Sequence, residues 1–429
     1  MAAPAPIILN RPAADAAAGT APRYTSALSA VTTLFFLWGF ITCLNDILIP
    51  YLKAIFQLSY AQANLINLCF FGAYFLMSIP AGKVVARVGY KRGMLLGFVV
   101  AAVGAFLFYP AAAARAYGLF LGALFVLASG ITLLQVAANP YVAILGPPAA
   151  ASSRLSLTQA FNSLGTTLAP LLGSALILSQ LPTLNTATSA AAIDVRAVQL
   201  PYLVIGGVLL LISLMLSRVT LPTITFAAEA ETAGPERGAW QYRHLALGVV
   251  GIFAYVGAEV AIGSHIVSYL ALPSVMGLGP KDAGDQVAFY WGAAMVGRFA
   301  GAYLLNKFSP AKLLAVNGVG AVALILISIN TTGAVAMWSL LAVGLMNSLM
   351  YPTIFALALQ GLGRRTEEGS GLLCTAIVGG ALVPLLFGFI ADHSSLRLAL
   401  LLPIVCYVYI MWYGLRGSRP VMPAQGLHS

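Results

Sequence analysis

The sequence predicts an all-α membrane protein with twelve transmembrane helices in two pseudo-symmetric six-helix bundles, with both termini in the cytoplasm. Three observations lead to this prediction. The 429 residues are 60% hydrophobic and only 8% charged, with a mean hydropathy of +0.92. The chain also divides into twelve long apolar runs, and several of its residues recur at an offset of about half its length.

The low charge content excludes whole classes of protein. A soluble domain carries about 25% charged residues, because it must cover its surface with them. Soluble enzymes, secreted disulfide scaffolds, coiled coils and disordered proteins are therefore excluded. The cysteines lie in apolar stretches without metal-ligand spacing, so we expect neither a metal site nor a disulfide framework; they are Cys43, Cys69, Cys374 and Cys406.

Each apolar run is long enough to cross a bilayer, which takes about 20 residues in a helix. The runs cover residues 26–52, 62–85, 93–113, 117–145, 156–180, 199–219, 244–271, 285–306, 311–330, 333–360, 369–391 and 396–415. We accordingly divide the chain into a disordered N-terminal tail (1–25), a first bundle (26–221), a cytoplasmic linker (222–243), a second bundle (244–416) and a C-terminal tail (417–429).

The distribution of lysine and arginine predicts the orientation. With an even number of spans both termini lie on one side, and that side together with the inner loops holds 17 basic residues against 5 in the outer segments. Positive residues concentrate on the cytoplasmic side of membrane proteins, so we place both termini inside. This asymmetry also explains the net charge of +10 without a nucleic-acid partner.

An internal repeat relates the two bundles. Pro140 and Pro352 are 212 residues apart, and Pro170 and Pro384 are 214 apart. Parallel repeats of six helices are typical of transporters that bind their substrate near the bilayer midplane.

Two acidic residues fall well inside apolar spans, Asp46 in the first and Glu259 in the seventh. A charge at the bilayer centre costs at least about 2.5 kcal/mol, so such residues usually have a function. They lie 213 residues apart, which is the repeat offset, and no lysine or arginine is expected at their depth. We therefore expect both to bind a coupling cation or a polar ligand rather than to form buried ion pairs.

Polar and aromatic side chains recur at helical spacing on several spans. The candidates for substrate binding are Trp38, Asn45, Gln135, Asn139, Gln159, Asn162, Tyr255, Glu259 and Asn347. Amides and carboxylates can bond sugar hydroxyls, and aromatic rings can pack on sugar C–H faces. For the fifth helix, hydrogen bonding between helices is the alternative explanation. No nucleotide-binding loop and no catalytic or metal-binding spacing is present, so we expect neither an enzyme nor a cofactor.

Several segments resemble a known family. GKVVARVGYKR (82–92) resembles the loop between helices two and three of the major facilitator superfamily, although Ala86 replaces the usual aspartate. Four longer segments resemble its fucose–galactose–hexose symporter subfamily, in particular the glucose/galactose type. They are FFLWGFITCLNDILIPYLK (35–53), LLQVAANPYVAILGP (133–147), RLSLTQAFNSLGTTLAPLLG (154–173) and YVGAEVAIGS (255–264).

The resemblance implies that Asp46 is the membrane acid tied to proton and sugar binding, and that Gln159 and Asn162 belong to the sugar site. Gln135 replaces a glutamate that helps to couple protons in the fucose permease, and Glu259 replaces an amide. The coupling ion therefore stays open. Asp46 alone could carry a proton, or Asp46 with Glu259 and free carbonyls could hold Na⁺.

We expect a transporter in the bacterial inner membrane that imports a neutral hexose, of the glucose/galactose, fucose or N-acetylglucosamine type. Alternating access would couple this import to a gradient of H⁺ or Na⁺. Its partners would be the sugar, the cation and the lipid bilayer, without nucleic acid, and the chain would act as a monomer. The alternatives are an uncoupled facilitator, a drug exporter and a membrane sugar sensor.

Overall fold

The computed structural model describes residues 7–10, 25–56, 60–176, 196–226 and 238–420, and these are almost entirely helical. Two short strands, β1 (Ile7–Asn10) and β2 (Thr223–Phe226), pair in a two-stranded sheet. Of the predicted tails only residues 7–10, 25 and 417–420 are described, and of the predicted linker only 222–226 and 238–243. Outside β1, the disorder of the N-terminal tail stays a prediction.

Six helices form the first half of the chain. They are α1 (Thr25–Phe56), α2 (Tyr60–Val88), α3 (Tyr90–Ala113), α4 (Tyr117–Ile144), α5 (Ala151–Leu176) and α6 (Arg196–Arg218). A single 3₁₀ turn, Pro148–Ala150, precedes α5.

The second half begins with three continuous helices and ends with three interrupted spans. The continuous helices are α7 (Arg243–Leu270), α8 (Pro280–Lys307) and α9 (Pro310–Asn330). The tenth span consists of α10 (Gly333–Asn347) and α11 (Met350–Ala358), and the eleventh of α12 (Thr366–Thr375) and α13 (Gly379–His393). The twelfth consists of α14 (Leu396–Ala399), α15 (Leu401–Trp412) and a π-helical turn, Tyr413–Gly417.

The predicted count of twelve spans is confirmed. Among the described residues, nine helical segments are long and apolar enough to cross a membrane. The other three spans are α1, α5 and α8. In α1 the side chains are described only over the apolar stretch Thr25–Phe40, and α5 and α8 carry denser sets of polar residues.

The chain folds into two compact units, each held together by its own contacts. The N-terminal unit contains Leu9–Pro147 and Arg154–Ile224, and therefore nearly all of α1 to α6. The C-terminal unit contains α7 to α15 and, in addition, residues 7–8, 225–226 and the short segment Pro148–Ser153.

Glycines allow α3 and α4 to pack backbone against backbone within the N-terminal unit. A Cβ atom at Gly104 would overlap the backbone of Leu127, and one at Gly130 would overlap the backbone of Ala101. Lipid solvates apolar side chains as well as a neighbouring helix does, so membrane helices associate through such close contacts between small residues.

One arginine joins three connections in the C-terminal unit. Arg397, on α14, donates to the carbonyl oxygens of Ser274, Ile329 and Thr331 at distances of 3.0 to 3.2 Å. Ser274 follows α7, whereas the other two acceptors lie at the end of α9. A single guanidinium therefore holds the ends of three spans together.

Candidate functional site

The predicted amides of α4 and α5 form one cluster in the N-terminal unit. The side-chain nitrogen of Gln159 donates to the side-chain oxygen of Asn139 over 3.3 Å, and both side chains are buried. Gln135, one turn before Asn139, donates to the hydroxyl of Tyr74 on α2. The structure therefore brings three predicted residues together and adds Tyr74, which the sequence analysis missed.

Asn162 and Trp38 meet where α1 crosses α5. Nδ2 of Asn162 donates to the carbonyl oxygen of Phe35 over 2.9 Å, and Trp38 packs edge to face on the Phe35 ring. Gly39 and Gly165 permit this approach, because a Cβ atom at either position would overlap backbone atoms of the other helix. One contact of Asn162 is therefore a hydrogen bond between helices, which was the alternative explanation. The side chain of Asn162 is also partly exposed.

The remaining N-terminal candidates are only partly described. Asn45 and Asp46 lie within α1, which continues without interruption from Thr25 to Phe56. Their side chains fall outside the described residues, so their predicted roles stay predictions.

Glu259 has a basic partner, which corrects the expectation that no lysine or arginine lies at its depth. Nη2 of Arg298 on α8 is 3.6 Å from Oε1 of Glu259, and both side chains are largely buried. Tyr255, one turn earlier on α7, donates its hydroxyl to the same oxygen over 2.7 Å. The 17 basic residues that the orientation prediction counts on the inner side include Arg298. Arg298 in fact lies nine residues, or roughly 14 Å of helix, before α8 ends at Lys307.

Arg298 also contacts the interruption of the tenth span. Pro352 has no N–H, so it cannot donate to the carbonyl of Ser348 as an ordinary residue in a helix would. Nε of Arg298 donates to that carbonyl over 3.3 Å. Nδ2 of Asn317 on α9 donates to the carbonyl of Met346 over 2.8 Å. Side chains from neighbouring helices therefore bond backbone groups at the break.

Asn347 bonds two tyrosines, and one of them, Tyr290, connects it to the helix that carries Glu259. Nδ2 of Asn347 donates to the hydroxyl of Tyr290 over 2.8 Å, and that hydroxyl donates to the carbonyl oxygen of Glu259 over 3.2 Å. Tyr407 donates to the side-chain oxygen of Asn347 over 2.7 Å. Asn347 is completely buried, so it supports the position of Glu259 through Tyr290.

Sequence reasoning missed four residues of these networks, namely Tyr74, Tyr290, Arg298 and Tyr407. A signal existed for Arg298 alone, because it lies inside the apolar run 285–306. The tyrosines carry no such signal, since an aromatic residue in an apolar run can be packed or hydrogen-bonded. Within the part of the chain that the structure describes, no cluster of His, Cys, Asp or Glu could hold a metal ion.

Each network offers buried hydrogen-bonding groups without an uncompensated charge. Within the N-terminal unit the groups are amides beside Trp38, and within the C-terminal unit they are phenols and a carboxylate whose charge Arg298 offsets. Such groups suit a neutral ligand with many hydroxyls, because each hydroxyl needs a donor and an acceptor.

Comparison with known proteins extends this description. Residues 28–377 match the model of the Major Facilitator Superfamily. The chain is 56% identical over 397 residues, 92% of its length and 95% of the relative, to a protein of Brucella abortus biovar 1 (strain 9-941) named glucose/galactose transporter. It is 34% identical over 418 residues, 93% of its length and 94% of the relative, to the L-fucose-proton symporter of Escherichia coli (strain K12).

A solved structure matches as well. The crystal structure of the E. coli fucose:proton symporter aligns with a TM-score of 0.85 at 34% identity, covering 93% of this chain and 100% of that one. These matches confirm the resemblance inferred from the sequence motifs.

Proposed function

Because the chain belongs to the Major Facilitator Superfamily, we propose that it imports a neutral hexose together with a cation by alternating access. The observation that carries this proposal is the identity to the Brucella glucose/galactose transporter, which extends over nearly the whole chain. The buried amides, phenols and carboxylate of the two networks support it, since they match the donors and acceptors of a sugar.

We propose sugar contacts for each unit by itself. In the N-terminal unit they are Trp38, Asn45, Gln135, Asn139, Gln159 and Asn162, and in the C-terminal unit Tyr255 and Glu259, with Asn347 acting through Tyr290. The aromatic ring of Trp38 would pack on a C–H face of the sugar, while the amides bond its hydroxyls.

The proposed coupling cation is a proton carried by Asp46. The relation to the E. coli L-fucose-proton symporter supports this choice over sodium. The ion pair with Arg298 supports it too, because a carboxylate whose charge is already offset is a poor ligand for a second cation. We also propose that the chain acts as a monomer in a bacterial inner membrane, with its termini inside.

Uptake of radiolabelled sugar into proteoliposomes tests the proposal. Glucose, galactose, fucose and N-acetylglucosamine would each be offered under a proton gradient and, separately, under a sodium gradient. We expect accumulation of at least one sugar under the proton gradient only. Binding without accumulation would indicate a sugar sensor, and uptake without any cation dependence would indicate an uncoupled facilitator; either result would overturn the proposal.

Asp46→Asn is the matched variant for the coupling step. The amide has the shape of the carboxyl group but cannot take up a proton. We expect gradient-driven accumulation to disappear, while exchange of labelled for unlabelled sugar persists. Accumulation at the wild-type level would exclude Asp46 as the proton carrier.

A further inference from the structure

We propose that Arg298 is a positioning residue for sugar recognition, which holds Glu259 so that Oε2 of its carboxylate accepts a sugar hydroxyl. This inference rests on the proposed function and deepens it. Glu259 is the C-terminal acceptor that bonds a sugar hydroxyl, and Arg298 is the group that orients this acceptor.

The two carboxylate oxygens of Glu259 have different surroundings. Oε1 accepts the hydroxyl of Tyr255 at 2.7 Å and lies 3.6 Å from Nη2 of Arg298. Oε2 has no hydrogen-bond partner among the residues that the structure describes, and the side chain is 11% exposed. An ionised carboxylate can accept about four hydrogen bonds. The oxygen without a partner is therefore the one that a ligand can use.

The guanidinium of Arg298 is itself held in place. Its Nε donates to the carbonyl of Ser348, which has no helical donor because Pro352 lacks an N–H. Its Nη2 faces Glu259. The guanidinium is planar and its donors have fixed directions, so fixing one N–H also directs the others. A lysine has one compact charge on a flexible chain. It would offset the charge of Glu259 without fixing the orientation of the carboxylate.

Tyr290 restrains the main chain of Glu259. Its hydroxyl bonds the backbone carbonyl of Glu259 at 3.2 Å and is itself bonded by Asn347. The main chain of Glu259 and one of its side-chain oxygens are thus both restrained. A restrained acceptor discriminates strongly, because a ligand that lacks the matching hydroxyl leaves it unpaired.

Competition by deoxy sugars tests the inference. A series of analogues of the transported hexose, each lacking one hydroxyl, would compete with labelled hexose for uptake. In the wild type, we expect the analogue that lacks the hydroxyl bonded by Glu259 to bind roughly 5- to 150-fold more weakly than the parent sugar. Both Glu259→Gln and Arg298→Gln should lose most of this discrimination at the same position, and at no other.

Three further readouts separate positioning from a structural role. The double variant Glu259→Gln/Arg298→Gln should discriminate no less than either single variant, because both act on one contact. Arg298→Lys retains the charge and is the variant to use if Arg298→Gln does not fold; we expect it to raise KM with little change in maximal rate. Proton dependence of uptake should persist in Glu259→Gln, and its loss would overturn the inference by assigning Glu259 to the cation.

Arg397→Gln is the matched control. Arg397 also donates to backbone carbonyls of the C-terminal unit, but its acceptors are Ser274, Ile329 and Thr331. We expect this variant to lose thermal stability and to keep the discrimination of the wild type. Unchanged discrimination in both Glu259→Gln and Arg298→Gln would overturn the inference. Absence of hexose transport by the wild type would instead overturn the proposed function.

Discussion

A polar side chain in a membrane span needs a partner from the protein, because the hydrocarbon supplies none. The two units meet this need differently. In the N-terminal unit, amides bond each other or a backbone carbonyl, as Gln159 and Asn162 do. In the C-terminal unit, tyrosine hydroxyls are the partners: Tyr255 bonds a carboxylate, and Tyr290 bonds an amide. The first arrangement presents both donors and acceptors, and the second presents mainly acceptors.

Alanine at Gln159 or Asn162 tests the sugar-binding role of the fifth helix. A lost buried hydrogen bond costs about 1–3 kcal/mol, or roughly 5- to 150-fold in affinity. We expect either substitution to weaken sugar binding within this range, measured as KM for exchange in proteoliposomes.

Asn330→Ala provides the control for these variants. Asn330 bonds the carbonyl of Leu326 on its own helix and is exposed, so its loss should leave KM unchanged. If Gln159→Ala and Asn162→Ala lower the melting temperature but leave KM unchanged, these amides only join helices.

The last three spans of the C-terminal unit are interrupted helices. The tenth span breaks between Asn347 and Met350, and the eleventh passes through a 3₁₀ turn at Ala376–Val378. Broken helices in transporters occur where backbone groups serve a site within the membrane. In the tenth span, the carbonyl of Ser348 serves to hold Arg298.

Pro352→Ala should make the tenth span more continuous. The alanine supplies an N–H that can bond the carbonyl of Ser348 in competition with Arg298. We expect a higher melting temperature and a slower maximal rate. If the continuous form gains about 1.4 kcal/mol over a form required for transport, the rate falls roughly tenfold.

Pro110→Ala is the comparison for this variant, since Pro110 also lies inside a helix but near the end of α3 and on an exposed face. It should change the transport rate little. Equal rates for Pro352→Ala and the wild type would show that the break has no part in turnover.

Contact between α3 and α4 depends on small residues on one face only. Gly130→Val would force a side chain into the backbone of Ala101, and overpacking typically costs about 1–3 kcal/mol. We expect a large loss of monodisperse protein in size-exclusion chromatography. Gly122 lies on the same helix with nothing near its missing Cβ atom, so Gly122→Val should behave like the wild type. Similar yields for both variants would contradict the packing described above.

At the scale of the whole molecule, the charge asymmetry predicts how the chain sits in the membrane. In a background without native cysteines, Ala114→Cys is expected outside and Ser309→Cys inside; both positions are exposed. A membrane-impermeant maleimide should label the first in intact cells, and both after permeabilisation. Labelling of Ser309→Cys alone in intact cells would show that the orientation is the opposite of the predicted one.

The number of spans could be predicted because hydropathy is a local property of each run. The pairing of Glu259 with Arg298 could not, because it depends on how α7 packs on α8 and on the reach of an arginine from deeper in its helix. The contacts of Asn347 could not be predicted either, since Tyr290 and Tyr407 come from spans far away in sequence. The proximity of Gln159 and Asn139 was easier to expect, because these amides lie on polar faces with visible helical spacing; their binding of sugar stays a prediction.

The bonds of Arg397 have a consequence for the lengths of loops. Surface connections usually tolerate insertions, since few contacts depend on their length. Here the connection after α7 and the one after α9 both present carbonyls to one guanidinium on α14. An added residue before Ser274, or between Ile329 and Thr331, would displace an acceptor. These two connections should therefore resist lengthening.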